Sequence, residues 1–108
     1  MAAQNLRVVF IAEAMDDLDA IAEYWTNRGE PERGEKYVHD LTWEALRQLS
    51  DATTAKAGRY LRHTPYPQTQ EILVFRRSYR IVYLVKDSEG IVEVWRFWHS
   101  HRDEPFRD

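Results

Sequence analysis

The period of apolar and polar positions changes along the chain, and each change marks an element. "LRVVFI", Leu6 to Ile11, is a short β-branched run of the kind that forms a strand. From Ala12 onward Met15, Leu18, Ile21, Ala22 and Trp25 recur at spacings of three and four. That spacing predicts an amphipathic helix with Asp16, Asp17, Asp19 and Glu23 mostly on its wet side, and carboxylates so early also suit the positive end of the helix dipole. Asn27 to Gly29 ends the helix, and Pro31 opens a second one, since a first-turn residue has no intrahelical use for the N–H that proline lacks. Val38, Leu41, Ala45, Leu46 and Leu49 form its apolar stripe, flanked by Tyr37 and Trp43. So short a connection sets the two helices antiparallel.

Residues 51–69, "DATTAKAGRYLRHTPYPQT", hold two prolines, a glycine and no sustained period, so they read as a long loop carrying Lys56, Arg59, Arg62 and His63. Three strands close the chain: Glu71 to Arg77, Tyr79 to Val85 and Ile91 to Trp98. Ser78 alone separates the first two and "KDSEG" the last two, which makes a meander of antiparallel neighbours. The expected architecture is a single α+β domain over residues 1–108. An N-terminal strand and an antiparallel two-helix hairpin pack on one face of an antiparallel sheet built with the three C-terminal meander strands.

A sheet covered on one face should alternate apolar and polar residues. Here Ile72, Val74, Tyr79, Ile81, Tyr83 and Val85 suit the face under the helices, yet the other face would show Leu73, Phe75, Val82 and Leu84. Large side chains of "VWRFW", Trp95 and Trp98 among them, would join that second face. An apolar area of that size is not normally left wet. Its cover would be the C-terminus of the chain, a second copy in a homodimer, or a segment of a partner.

With 108 residues and 44% apolar content the chain supports one modest core. It has no cysteine, and its N-terminus lacks the apolar run of a signal peptide, so a soluble cytoplasmic protein with no membrane association is expected. The net charge of −3 argues against wholesale capture of nucleic acid. The charge is split, however: residues 1–55 carry five Lys/Arg against eleven Asp/Glu, and residues 56–108 carry ten against seven.

Chemistry concentrates near the end, in "HSHRD". On a continued strand His99, His101 and Asp103 would share one side and offer zinc two imidazoles and a carboxylate, as a metal-dependent hydrolase would need. The signal is thin, and neither a metal nor a cofactor is expected. A second arrangement is phosphate chemistry: Arg80, with Arg76, Arg77 and Arg96 nearby, could clamp a phosphodiester while His99 or His101 and Arg102 move protons and stabilise charge. The bland alternative is a surface strand with scattered arginines and a His99 that caps the sheet edge.

Three blocks resemble one family. "AMDDLDAIAEYW" carries Ala14, Asp17, Leu18, Ile21, Ala22 and Tyr24; "YRIVY" spans Tyr79 to Tyr83; and "HSHRD" supplies His99, Arg102 and Asp103. Together they resemble the RelE/ParE superfamily, the toxins of bacterial type II toxin–antitoxin modules. The resemblance implies a strand, a helical hairpin and an antiparallel sheet. It also implies a cognate antitoxin, in a toxin–antitoxin hetero-oligomer, as the cover for Leu73, Phe75, Leu84, Trp95 and Trp98. The family divides between poisons of DNA gyrase and endonucleases that cut messenger RNA on the ribosome. The lysines that RelE-like members carry before "YR" fall here at Glu71 and Leu73, and the ending looks ParE-like, so a gyrase poison is favoured. The alternatives are an mRNA endonuclease using Arg80, His99, His101 and Arg102, and an interaction domain that is no longer toxic.

Overall fold

A computed structural model describes residues 5–61 and 68–99. The element order is β1 (Arg7–Phe10), α1 (Ala12–Asn27), α2 (Pro31–Leu49), α3 (Ala52–Lys56), β2 (Arg59–Tyr60), β3 (Gln70–Val74), β4 (Tyr79–Lys86) and β5 (Ile91–His99). The strands form one sheet in the order β1-β5-β4-β3-β2. The meander β3-β4-β5 is antiparallel as its short turns require. The first strand returns beside the last and runs parallel to it, Arg7 opposite Ile91 through Phe10 opposite Val94, so the sheet is mixed. That parallel pairing is possible because the intervening hairpin and meander supply the long crossover that parallel neighbours need.

Both long helices begin and end where the sequence places them. Pro31 stands in the first turn of α2. The stripe residues Ala14 and Leu18 of α1 and Leu41, Ala45 and Leu49 of α2 are buried against Ile81, Tyr83, Val92 and Val94 of the sheet. The helices approach each other closely at Gly34. A Cβ there would lie 3.1 Å from the Ala22 carbonyl oxygen and 3.1 Å from Trp25 Cβ, contact that only a glycine avoids.

Two segments differ from the sequence expectation. Residues 51–69 are not one loop: Asp51 caps a short helix, its Oδ1 accepting the N–H groups of Thr53 and Thr54 at 2.9 and 3.3 Å, and Arg59–Tyr60 then adds an edge strand to β3. A cap and a two-residue strand are too short to show a period. Arg62 and His63 lie outside the described residues. The third strand ends at Val74 rather than Arg77, and Phe75, Arg76 and Arg77 turn with φ of +51°, +55° and +69°. Three successive non-glycine residues in the left-handed region are held there by the hairpin they close, at a cost of about 1 kcal/mol or more each.

The final strand carries a β-bulge. Val82 pairs with Arg96 and Tyr83 with Val94, so Trp95 is the extra residue. One unpaired residue shifts the phase of everything after it. Val92 and Val94 face the core before the bulge, and Phe97 faces it after, three residues on instead of two or four. Arg96 and Trp98 are thereby sent the other way.

β5 is also longer than β1, and the pairing stops at Phe10 opposite Val94. Past that point Asp17 of α1 takes over the exposed edge. Its Oδ2 accepts Arg96 Nε–H at 2.7 Å and the Phe97 backbone N–H at 2.9 Å, and its Oδ1 accepts Arg96 Nη2–H at 2.8 Å. The two side chains are 15% and 16% exposed. Asp17 is thus not on the wet side of α1. It lies three residues after Ala14 and four before Ile21, on the buried stripe.

At the other end of the sheet Tyr83 is fully buried and donates its hydroxyl proton to the Ala55 carbonyl at 2.6 Å. Gly58 lies against the same hydroxyl, and a Cβ at that position would sit 1.8 Å from it. Burial holds the phenol well above its ordinary pKa.

Replacing Asp17 by Ala takes away the bidentate partner of a mostly buried Arg96 and the acceptor of the Phe97 amide, and should cost about 3 kcal/mol in urea unfolding. The Phe97 amide should lose hydrogen-exchange protection in that variant but keep it in Arg96→Met, because only the first removes its acceptor. Gly58→Ala should destabilise by about 1–3 kcal/mol through overpacking, and part of that loss should vanish in a Tyr83→Phe background, where the clashing oxygen is gone. Tyr83→Phe itself should cost about 1–2 kcal/mol at neutral pH, where the Ala55 carbonyl loses its side-chain donor and keeps only the longer bond from Gly58 N–H. The raised phenol pKa makes the wild-type advantage complete below the unfolded value near 10 and smaller as pH climbs past it. Urea unfolding at pH 7 and pH 10.5 should therefore show the gap between wild type and variant narrowing.

Candidate functional site

The alternation of β4 and β5 after the bulge decides which candidate residues meet. Tyr79 pairs with His99 and Arg80 with Trp98, so each pair shares a face and the two pairs lie on opposite faces. Tyr79 belongs to the core under the helices, and the His99 ring meets it edge-on at 4.9 Å. Arg80 therefore projects from the face away from His99. The sheet itself stands between the two groups the phosphate-chemistry arrangement brings together. His101, Arg102 and Asp103 lie outside the described residues, so the set Arg80, His99, His101 and Arg102, like the metal set His99, His101 and Asp103, is described only at Arg80 and His99. Among the described residues no group of three or more His, Cys, Asp or Glu side chains is placed to hold a metal ion. None of the described helices is long and apolar enough to cross a membrane.

On its own face Arg80 lies near a buried carboxylate. Glu71 pairs in register with Val82, its side chain is 4% exposed, and its Oε2 lies 3.7 Å from Arg80 Nη1, while Oε1 lies 3.9 Å from Arg59 Nε. Arg96, which the sequence offered to the same phosphate cluster, is spent on Asp17 and stacks over the Trp98 ring at 5.1 Å. Arg76 and Arg77 stand exposed in the turn after β3. The described arginines of the C-terminal half are thus dispersed over a turn, a strand edge and a sheet face.

The apolar residues of the non-helical face are less open than their spacing suggests. Leu73 is 41% exposed, Leu84 and Trp95 are half-buried, and Val82 and Trp98 are buried within the chain. Phe75 departs from that face altogether: its turn swings it onto the helical side, where it packs against the core and meets Tyr79 edge-on at 6.3 Å. Leu73, Phe75, Leu84, Trp95 and Trp98 therefore do not form one continuous patch.

A half-buried aromatic surface lies on the helical side. A cleft of about 460 Å³ separates α1 from the far end of the sheet, with Ala20, Ile21 and Tyr24 on one wall and Tyr79, Phe97 and His99 on the other. Asp17 closes one end of it, and Trp25 and Tyr37 close the other. A second cavity of about 370 Å³ is lined by Arg33, Lys36, Tyr37, Asp40 and Phe75. A run of rings forms the floor. Trp25 stacks on Tyr37 at 5.7 Å and 13°, and Tyr37 reaches Tyr79 at 6.0 Å. At the rim Arg28 stands over Tyr24 at 4.4 Å and Arg33 over Trp25 at 4.5 Å.

The electrostatics of this groove change along its length. Lys36 donates to Asp40 at 2.8 Å, and that hydrogen bond raises the lysine pKa and lowers that of the carboxyl. Glu13, Asp16, Asp19 and Glu23 on the outer side of α1 are exposed, with no Lys or Arg in ion-pairing distance among the described residues. Aromatic anchorage with a charged rim gives this cleft the composition of a protein-docking surface.

Sequence reasoning missed the groove because its rings come from four elements. Trp25 read only as part of the α1 stripe, Tyr37 as a flank of the α2 stripe, Tyr24 as part of a family block, and Glu71 as a departure from a lysine. The one legible sign was Asp17, whose spacing from Ala14 and Ile21 puts a carboxylate where the helix should be apolar.

The same fold recurs in solved structures. The chromosomal ParDE toxin–antitoxin system from P. aeruginosa matches with a TM-score of 0.68 at 18% identity, over 90% of this chain and 98% of the other. The RelBE2 toxin–antitoxin complex from Mycobacterium tuberculosis matches with a TM-score of 0.61 at 21% identity, over 88% of this chain and 91% of the other. Identities so low carry the fold alone. No curated protein sequence matches. The model of the family described as the ParE toxin of type II toxin–antitoxin systems, parDE, matches residues 8–104, nearly the whole chain. By that match the chain belongs to the ParE toxin family of type II toxin–antitoxin systems.

Proposed function

We propose that this chain is a ParE-like toxin that arrests growth by binding DNA gyrase, without cutting RNA, and that a cognate antitoxin holds it inactive. The observation that carries this choice is the pairing of Arg80 with Glu71 on the face away from His99. Cleavage of RNA by its own 2′-hydroxyl needs a cation free to meet the developing charge and a proton-transfer group beside it. Here the cation faces a carboxylate that is 4% exposed, which would repel an incoming phosphate, and the nearest described histidine is across the sheet. The negative net charge likewise suits a protein target better than ribosomal RNA.

The aromatic cleft between α1 and the sheet supports the antitoxin half of the reading. Burying it offers a partner a desolvated anchor of the kind that dominates protein interfaces.

Induction of the chain alone should stop growth, and coexpression of the antitoxin should restore it. Purified protein should inhibit supercoiling by gyrase in vitro while translated messages stay intact. The variant Glu71→Gln/Arg80→Gln removes both charges together, so no lone charge is left buried, and it should remain toxic. Codon-phased cuts in messages, with a loss of toxicity on the order of 100-fold or more in that double variant, would assign the activity to RNA cleavage instead.

A further inference from the structure

The side of α2 that is turned away from the core is not uniformly polar. Lys36, His39, Trp43, Leu46 and Ser50 recur at intervals of three and four residues, the spacing by which one helix lines a seam against another. Trp43 stands two residues from both Leu41 and Ala45, which are buried, so it lies across the helix from the core. It is 58% exposed, and Leu46, one turn on, is 42% exposed. The described residues thus leave open an apolar spot centred on a tryptophan, a residue enriched at protein interfaces. Trp43 and Leu46 line neither of the two cavities, so this face is separate from the aromatic cleft.

Charge says what fits the face. Asp40 and Arg47 are seven residues apart, two helical turns, and so stand on one flank of the seam, a negative group at one end of the apolar spot and a positive group at the other. Each has partners on its own helix, Asp40 in Lys36 and His39 and Arg47 in Glu44, but such surface pairs exchange easily with a competitor. A helix that complements this face needs apolar residues opposite Trp43 and Leu46, a cation opposite Asp40 and a carboxylate opposite Arg47. The same face of a second copy, laid antiparallel, meets all of these needs. With a two-fold axis near Glu44, Trp43 comes against Leu46 of the second copy and Leu46 against its Trp43, while Asp40 comes abreast of its Arg47 and Arg47 of its Asp40. A parallel arrangement would set Lys36 on Lys36, Asp40 on Asp40 and Arg47 on Arg47, so the charges select against it.

We infer that two copies of this chain associate through α2, antiparallel about a two-fold axis near Glu44, with Trp43 and Leu46 at the centre and Asp40–Arg47 ion pairs on the flanks. The inference stands on the α2 surface and does not depend on the target of the toxin. The tryptophan acts on residence, and the flanking charges act on direction and register.

Sedimentation equilibrium of the full chain should show a monomer–dimer equilibrium with a Kd on the order of 10–100 μM, since one helical seam covers less than the roughly 1,600 Å² of a standard interface. Trp43→Glu should weaken it about tenfold or more. Asp40→Arg sets arginine against arginine twice in each dimer, Arg47→Asp sets aspartate against aspartate in the same way, and each variant alone should associate about tenfold more weakly. Mixed in equal amounts, these two variants should associate about tenfold more tightly than either does by itself, because each supplies the charge the other has lost. Circular dichroism of each variant separates loss of fold from loss of contact. A wild-type chain that stays monomeric at about ten times the expected Kd would overturn the inference. So would a folded Trp43→Glu variant that pairs like wild type, or a mixture no tighter than its components.

Discussion

One carboxylate holds the two layers of this protein in their working relation. β5 outruns β1 by several residues, and an uncovered strand edge presents backbone donors that must find acceptors. Asp17 satisfies the Phe97 amide and the Arg96 guanidinium together, standing in for the strand that is missing. Because it does so from the second turn of α1, it also fixes where that helix crosses the sheet. The cleft between them follows from this spacing: α1 is pinned at the end where Asp17 reaches over and packed at Gly34 where α2 comes close. A helix free to settle lower would close the aromatic groove, and one held higher would open the core to water.

The bulge at Trp95 is the second determinant, since it chooses what each face offers. Before it, valines point to the helices. After it, Phe97 and His99 do, so the helical side gains a ring-lined wall, and Arg96 is freed to meet Asp17. The other face receives Arg80, Trp98 and the buried Glu71, an arrangement in which the positive charge is answered from within the sheet. A fold shared with the ParDE and RelBE2 toxin–antitoxin structures therefore presents, in this chain, an aromatic cleft on its helical side. Fold by itself does not fix function.

The order of elements, the helix limits, the antiparallel hairpin and most of the helical-side core followed from local pattern, because a 3.6-residue stripe or a run of alternating β-branched residues reports burial directly. Family membership was legible too, through "AMDDLDAIAEYW" and "YRIVY", whose residues hold the helix to the sheet. Three things were not. The parallel partner of β1 depends on which edge of a finished meander is vacant. The face occupied by each residue after Trp95 depends on a single inserted residue that no sequence period announces. The groove depends on rings from α1, α2, β4 and β5 that are distant in the chain and meet only once Asp17 has set the distance between layers. Sequence determined what each segment is, since that is settled by contacts within a few residues. Tertiary structure alone decided which side chains stand together and which are parted by the sheet, because those outcomes are fixed by register, and register is a property of pairs of segments.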